Sequence, residues 1–200
     1  KKMKRGIKEM NIILASGSPR RKELLAQAGF EFEVEVSNAD ENVAEESPTE
    51  MVEELAARKA EAVVNLHNKK EDNCLVIGAD TIVVLDGKIL GKPADEADAK
   101  AMLASLSGRT HQVYTGVALF SLKEGIIEKK TTFHECTDVT MVSMTEKEIA
   151  DYVASGDSMD KAGAYGIQGM AAIFISEIKG DYYNVVGLPI SRVYHEIEQF

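Results

Sequence analysis

Residues 74–85 form the most apolar run of the chain, Cys-Leu-Val-Ile-Gly-Ala-Asp-Thr-Ile-Val-Val-Leu, and only Asp80 and Thr81 interrupt it. Such a run predicts a central strand that is buried on both faces of a sheet. Gly78 would allow another backbone to approach this strand closely. Asp86-Gly87 follows and predicts a hairpin turn. The rest of the fold must therefore cover both faces of this strand.

Asp80 is the unusual residue of this run. A carboxylate in apolar surroundings is costly unless it is paired, hydrogen-bonded or bound to a cation. A structural alternative is that Asp80 caps a following helix, but the sequence continues as strand. We therefore interpret Asp80 as a functional carboxylate.

A second feature is the stretch Ser16-Gly17-Ser18-Pro19-Arg20-Arg21-Lys22, which follows the apolar residues 12–15. Ser18 suits a helix N-cap, and Pro19 suits the first helical position. The pattern therefore predicts a strand, a tight turn and a helix. Three cations in the first helical turn oppose the helix dipole unless an anion binds there. Solvent exposure of these cations is the alternative, but their grouping after a strand favours a phosphate-binding corner.

Further candidates come from residues whose position is unusual. Lys59 lies in the apolar stripe of a helix predicted from Pro48 to about Leu66, where it either snorkels to solvent or meets an anion. Asp40 or Glu41 follows a strand predicted at 30–36, and one of the two could bind a metal.

Two more stretches carry candidates for phosphate or base contacts. Lys92 follows Gly91 at a turn and could contact phosphate, although the full P-loop pattern is absent. The irregular segment 160–169 has three glycines and resembles a binding loop, in which Lys161 and Gln168 are the polar side chains that could contact a ligand.

The remaining pattern alternates strands and helices. We predict a helix at about 94–106 that ends at Gly108, a hairpin of strands 110–121 and 126–143, a helix from Thr145 to about 154, a strand at 171–178, a tyrosine-rich turn with Asn184 and a last helix from Pro189. No domain boundary is evident. We therefore expect residues 1–10 to be a basic tail and residues 11–200 to be a single domain.

The charge of the chain limits its partners. The 200 residues carry a net charge of −10, although the first ten residues are basic. This acidity argues against nucleic-acid binding, which depends on phosphate neutralisation, but permits a small polyanion in a local basic pocket. No apolar stretch approaches the length of a membrane span, and no signal-peptide pattern follows the basic start. We expect a cytoplasmic protein.

Several motifs in one order resemble the Maf family of nucleoside triphosphate pyrophosphatases, once described as septum formation inhibitors. The similar segments are Ser16-x-Ser18-Pro19-Arg20-Arg21-x-x-Leu24-Leu25, Gly78-Ala79-Asp80-Thr81, Gly91-Lys92-Pro93, the segment 160–169 and the segment 180–189. The resemblance covers roughly residues 11 to 195. Its one departure is the basic start of the chain.

The resemblance implies an α/β fold of three layers, with a long mixed twisted sheet, flanking helices and a central cleft between two lobes, similar to inosine triphosphate pyrophosphatases. It also implies hydrolysis of a nucleoside triphosphate between the α and β phosphates, with Mg²⁺ or Mn²⁺. The Arg20, Thr81 and Gln168 combination resembles the dTTP/UTP branch rather than the 7-methyl-GTP branch.

The residue roles that follow are expectations. Asp80 would orient or deprotonate the attacking water and, with Glu41, hold the metal. The triphosphate ligands would be Ser16, Arg21, Lys59 and Lys92, assisted by Lys161, and the base contacts would come from Thr81 and Gln168.

Other functions stay open at this point. The main rival is a nucleotide-binding regulator of septum formation without significant turnover. A second rival is a pyrophosphatase for inosine-type or modified nucleotides, and a modified pyrimidine triphosphate could be the physiological substrate. A homodimer fits such a protein, but no pattern in the sequence supports it.

Overall fold

The computed structural model describes residues 11–36, 38–40, 42, 47–67 and 73–200. The predicted tail at residues 1–10 and the candidate metal ligand Glu41 lie outside the described residues. The described strands are β1 (Asn11–Leu14), β2 (Phe32–Val34), β3 (Cys74–Leu85), β4 (Lys88–Leu90), β5 (Thr110–Lys123), β6 (Ile126–Met141) and β7 (Ile175–Lys179). The described α-helices are α1 (Pro19–Gln27), α2 (Pro48–His67), α3 (Glu96–Leu106), α4 (Glu146–Ala154), α5 (Tyr182–Val186) and α6 (Ile190–Ile197).

The strands form one mixed sheet of seven strands. Its order is β2-β1-β3-β5-β6-β7, and β4 pairs with β3 outside this path. β1 is parallel to β2 and to β3, whereas β4 is antiparallel to β3 and β7 is antiparallel to β6. The predicted α/β class, with a long mixed sheet and flanking helices, is confirmed. None of the helices in the described ranges has the length and apolar character needed to cross a membrane.

The chain divides into two compact units. The first unit comprises the described parts of Lys1–Asp80 together with Thr115–Glu135 and Gly187–Phe200, and the second comprises Thr81–Tyr114 and Cys136–Val186. Each unit has its own apolar cluster. The division does not test the prediction of a single domain over residues 11–200, which stays a prediction.

The central strand behaves as the sequence predicts. All twelve positions of β3 are buried except Asp80 and Thr81, which are half-buried. The predicted hairpin turn is present, because Asp86 and Gly87 have φ values of 51° and 75° and Leu85 pairs with Lys88. The half-buried positions therefore mark the place where β3 offers polar groups.

Helix α2 lies on the sheet of the first unit at two glycines. A Cβ atom at Gly78 of β3 would lie 2.2 Å from the carbonyl oxygen of Ala56, and one at Gly116 of β5 would lie 2.1 Å from that of Val52. Both oxygens belong to the backbone of α2, so they cannot move aside as a side chain would. The glycines therefore set how closely α2 approaches β3 and β5.

Two of the predicted strands are shorter in the structure. The strand predicted at 30–36 is confirmed only for Phe32–Val34, and Glu33 and Val34 are both exposed rather than alternating. Among the described strands, β2 is the first in the sheet order and pairs with β1 alone, which limits its burial. The strand predicted at 171–178 begins only at Ile175.

Residues Met170–Phe174 form a 3₁₀-helix instead of the predicted strand. Ala171 and Phe174 are buried, whereas Ile173 is 76% exposed. The spacing of three matches the period of a 3₁₀-helix. Likewise, the predicted tyrosine-rich turn is the short helix α5, in which the buried Asn184 donates hydrogen bonds to the Val113 carbonyl and the Thr137 hydroxyl, both at 3.0 Å.

We predict that Gly78→Ala and Gly116→Ala each lower the free energy of unfolding by about 2–3 kcal/mol, because an added methyl group overpacks the contact with α2. Gly17→Ala is the matched control in the same unit, since its added Cβ would make an ordinary contact at 3.5 Å with Val36. Urea unfolding of the three variants measures the effect. Equal stability of all three would show that α2 is free to move away from the sheet.

Candidate active site

The turn between β1 and α1 is built around the hydroxyl of Ser16. This buried oxygen accepts hydrogen bonds from the backbone N–H of Ser18 at 3.3 Å and from Nη1 of Arg21 at 3.0 Å. The predicted helix begins at the expected place, with Ser18 as an extended N-cap residue and Pro19 at the first helical position, although the Ser18 side chain makes no capping hydrogen bond within the described residues. Its first turn contains no acidic residue. The turn thus keeps the positive character that the sequence predicts.

Arg21 contributes to the framework of this turn. Its side chain is buried, and its Nε donates a 2.8 Å hydrogen bond to the carbonyl oxygen of Gly187. Gly187 lies just before α6, so Arg21 joins the start of α1 to a segment 166 residues away. Arg20 lies at the same turn and is half-buried. The predicted contact of Arg21 with a triphosphate stays a prediction.

The central ion pair of the first unit joins Lys59 to Asp80. The Lys59 Nζ lies 2.6 Å from Oδ1 of Asp80, and the two side chains are only 15% and 16% exposed. Of the two fates considered for Lys59, the structure therefore shows contact with an anion, here a carboxylate of the protein. The pair meets the need of the buried Asp80 charge for a partner.

The geometry of this pair follows from the packing of α2. Gly78 and Asp80 point to the same face of β3, because side chains alternate along a strand. The neighbours of Gly78 are Ala56 and Ala60, which lie in the turns of α2 that also carry Lys59. Close approach at Gly78 therefore brings the ammonium group within reach of Asp80.

The residues predicted in the second unit lie on three elements. Thr81 follows Asp80 on β3 and is half-buried, whereas Lys92 is exposed after β4. Gln168 is exposed in the segment 160–169. The N–H of Gly163 donates a 3.0 Å hydrogen bond to the carbonyl oxygen of Gly91, so this segment packs beside the turn that carries Lys92.

The ammonium group of Lys161 contacts acidic neighbours. Its Nζ lies 2.6 Å from the carbonyl oxygen of Asp157, 2.9 Å from Oδ1 of Asp157 and 2.7 Å from Oδ1 of Asp160. An ammonium group has three donors. The three oxygens equal these donors in number, so the ammonium group of Lys161 binds Asp157 and Asp160 in this conformation. Its predicted contact with a triphosphate stays a prediction.

Sequence reasoning missed a buried pair that joins His111 of β5 to Tyr165 of the segment 160–169. Nε2 of His111 lies 2.6 Å from the Tyr165 hydroxyl, and the His111 side chain is completely buried. Burial lowers the pKa of His111 to about 4, although the carboxylate of Asp138 acts in the opposite direction. Within the described part of the chain, Nδ1 of His111 has no hydrogen-bond partner, which also favours the neutral ring. The apolar strand pattern around His111 gave no signal of this partner, which is 54 residues away.

This pair generates a prediction about pH. Because the folded protein holds His111 neutral below its ordinary pKa of 6.5, its contribution to stability is complete above that pH and is lost as the pH falls towards about 4. The shift corresponds to about 3 kcal/mol. His111→Gln removes the titration and serves as the reference.

The measurement is the free energy of unfolding in urea for both proteins across this pH range. We expect wild type to lose more stability than His111→Gln as the pH falls, so that their difference decreases by about 3 kcal/mol. Taking the difference cancels the contribution of the carboxylates common to both. A difference that stays constant with pH would contradict the buried neutral state.

Within the described ranges, no group of three or more histidine, cysteine or acidic residues is arranged to hold a metal ion. A single partly buried carboxylate, Asp80, nevertheless fits Mg²⁺ or Mn²⁺ that arrives with a triphosphate, since such ions use one or two carboxylates together with phosphate oxygens. The predicted second ligand, Glu41, lies outside the described residues.

Known proteins resemble this chain over most of its length. A dTTP/UTP pyrophosphatase of Bacillus mycoides is 55% identical over 190 residues, which cover 94% of this chain and 95% of the relative. A dTTP/UTP pyrophosphatase of Bacillus cereus is 52% identical over 198 residues, covering 98% and 93%. A solved dITP/XTP pyrophosphatase structure from Mycobacterium abscessus aligns with a TM-score of 0.40 at 16% identity, covering 68% of this chain and 76% of that one.

A family profile gives the same result as the sequence relatives. The profile described as Maf-like protein matches residues 11–200, which include every described element. The motifs on which the resemblance was based fall within this range. The chain belongs to the family of Maf-like proteins.

Proposed function

We propose that this protein hydrolyses nucleoside triphosphates between the α and β phosphates, releasing the monophosphate and pyrophosphate, with dTTP and UTP as preferred substrates. The observation that carries the proposal is the 55% identity, over 94% of the chain, to a relative named dTTP/UTP pyrophosphatase. The proposed setting is the cytoplasm, where the enzyme would clear these nucleotides from the pool.

The Lys59–Asp80 pair supports the chemistry. Attack of water on phosphorus needs mainly positioning and stabilisation of charge. We propose that Asp80 accepts a proton from the attacking water while the anhydride bond breaks and pyrophosphate leaves. Lys59 Nζ donates a 2.6 Å hydrogen bond to Oδ1 of Asp80, which fixes the position of the carboxylate. In the complex, the ammonium group of Lys59 would also contact phosphate.

A divalent cation belongs to this proposal. Asp80 and Glu41 would hold Mg²⁺ or Mn²⁺, which supplies neutralisation of phosphate charge and a more acidic water when bound. Removal of the cation with a chelator is expected to abolish pyrophosphate release while the fold persists.

Each unit contributes its own proposed substrate contacts. In the first unit, the positive turn offers Ser16, Arg21 and the start of α1 to phosphate oxygens, and Arg20 belongs to the residues proposed to set substrate specificity. The phosphate contact proposed in the second unit is Lys92. The proposed base contacts are Thr81 and Gln168, whose hydroxyl and amide can donate and accept hydrogen bonds at a pyrimidine edge.

We predict that Asp80→Asn lowers the rate of pyrophosphate release at least a hundredfold, because an amide cannot accept the proton. Asp86→Asn is the matched control. Asp86 is an exposed aspartate on the same hairpin and is paired with Arg109 at 2.6 Å, so the control also removes the charge of an ion-paired carboxylate. Full activity of Asp80→Asn would exclude its proposed role.

We predict that wild type prefers dTTP and UTP to purine triphosphates, and that Gln168→Ala reduces this preference. The reason is that the polar edge of a bound pyrimidine would lose its hydrogen-bond partner, the amide of Gln168, and this loss weakens binding. The measurement is kcat/KM for pyrophosphate release across a panel of triphosphates with Mg²⁺ or Mn²⁺. Gln27→Ala, which removes an exposed amide from the last turn of α1, is the control.

The same panel separates the alternatives. A purine preference of wild type would keep the reaction but exclude the proposed base contacts. Binding of nucleotides without release of pyrophosphate from any of them would favour a regulator of septum formation without turnover.

A further inference from the structure

The segment that carries Gln168 is supported by residues to which no role was assigned. Residues Gly166, Ile167, Gln168 and Gly169 form a turn that is closed by a 3.1 Å hydrogen bond from the Gly169 N–H to the Gly166 carbonyl oxygen. Gln168 occupies the third position of this turn and is exposed. The direction of its amide therefore depends on what holds the two ends of the turn.

Both ends of the turn lie against one ion pair. A Cβ atom at Gly169 would lie 2.4 Å from Oδ2 of Asp157, and one at Gly166 would lie 2.6 Å from Cε of Lys161. Asp157 and Lys161 are themselves joined at 2.9 Å. The two glycines permit this close contact. We call the ion pair of Asp157 and Lys161, which lies against both ends of the turn, the platform.

Tyr152 of α4 holds the platform in place through hydrogen bonds. Its hydroxyl donates a 2.9 Å hydrogen bond to Oδ2 of Asp157 and lies 3.4 Å from the N–H of Gly166, which donates to it. The ring of Tyr152 is buried, with 2% of its surface exposed. Burial raises the pKa of Tyr152, so the hydroxyl stays protonated and continues to donate. The side chain of Asp157 therefore has a fixed partner on each oxygen.

We propose that Asp157, with Tyr152 and Lys161, is a positioning residue that sets the orientation of the Gly166–Gly169 turn and thereby the base selectivity exerted through Gln168. This inference rests on the proposed function, because it assumes that Gln168 contacts the base. It assigns Lys161 to the support of the turn rather than to the triphosphate. Misplacing a contact group by about 1 Å costs on the order of a hundredfold in rate.

The variants are chosen to disturb the platform without removing its bulk. Asp157→Asn keeps the shape of the side chain but loses the charge that holds Lys161. Tyr152→Phe removes only the hydroxyl. The matched control is Asp151→Asn, which breaks the exposed Lys147–Asp151 pair, also an aspartate and a lysine four residues apart in the same unit. That pair is placed on α4 and supports no part of the turn.

The measurement is the ratio of kcat/KM for dTTP to kcat/KM for ATP. We expect Asp157→Asn to lower this ratio about tenfold or more and Tyr152→Phe to lower it less, with no change for Asp151→Asn. The purine rate should stay within about twofold of wild type, because the phosphate contacts are untouched. A general loss of folding would instead lower both rates together.

A double-mutant cycle tests whether Asp157 acts through Gln168. We expect Asp157→Asn to change the ratio no further in the Gln168→Ala background, since the coupled residues act as one unit. Additive effects would overturn the inference. Equal loss for dTTP and ATP in Lys161→Met, with a stability to urea that matches wild type, would also overturn it, because that result indicates a phosphate ligand.

The failure of this inference differs from the failure of the proposed function. An active wild type whose base preference is unchanged in Asp157→Asn overturns the positioning role alone. A wild type that releases no pyrophosphate from any triphosphate overturns both.

Discussion

The close contact between α2 and the sheet of the first unit is the constraint on which the candidate site depends. A glycine at position 78 lets the α2 backbone approach β3 to a distance at which a Cβ atom would lie 2.2 Å from Ala56 O. Asp80 lies two residues farther on the same face. Without this approach, the four-carbon stem of Lys59 would not place its ammonium group 2.6 Å from that carboxylate. Backbone packing, rather than a loop, thus sets the geometry of the charged pair.

Much of the fold could be predicted because its signals are local. The apolar run that became β3, the Asp86-Gly87 turn and the N-cap at Ser18 each depend on a few neighbouring residues. The errors occurred where local patterns are ambiguous. The apolar residues 171–174 suit either a strand or a 3₁₀-helix, and only the burial of Ala171 and Phe174 decides between them.

The cations show the limit of sequence reasoning more clearly. A basic residue in the sequence predicts a contact with an anion or a carbonyl oxygen, but it does not predict which group makes that contact. The phosphate contact of Arg21 stays a prediction, but no signal in the sequence indicated that its Nε donates to the carbonyl oxygen of Gly187, which is 166 residues away. Lys161 binds Asp157, only four residues away, a spacing that the sequence displays. The first partner depends on tertiary structure, whereas the second was visible as an aspartate and lysine pair.

Stability alone does not explain why Asp80, the carboxylate of an ion pair, lies in the middle of β3. For a partly buried ion pair, the free-energy cost of desolvation is about as large as the gain from the attraction of the two charges. Apolar residues of similar size often give the folded protein the same stability. The neighbours of Asp80 on the same face of β3 are Gly78 and Ile82, which are both buried, so an apolar residue would continue the strand without that cost. A carboxylate that lies beside an ammonium group suits a site where protons and phosphate charge are handled. The chemistry proposed for Asp80 and Lys59 therefore accounts for a position that folding alone would give to an apolar side chain.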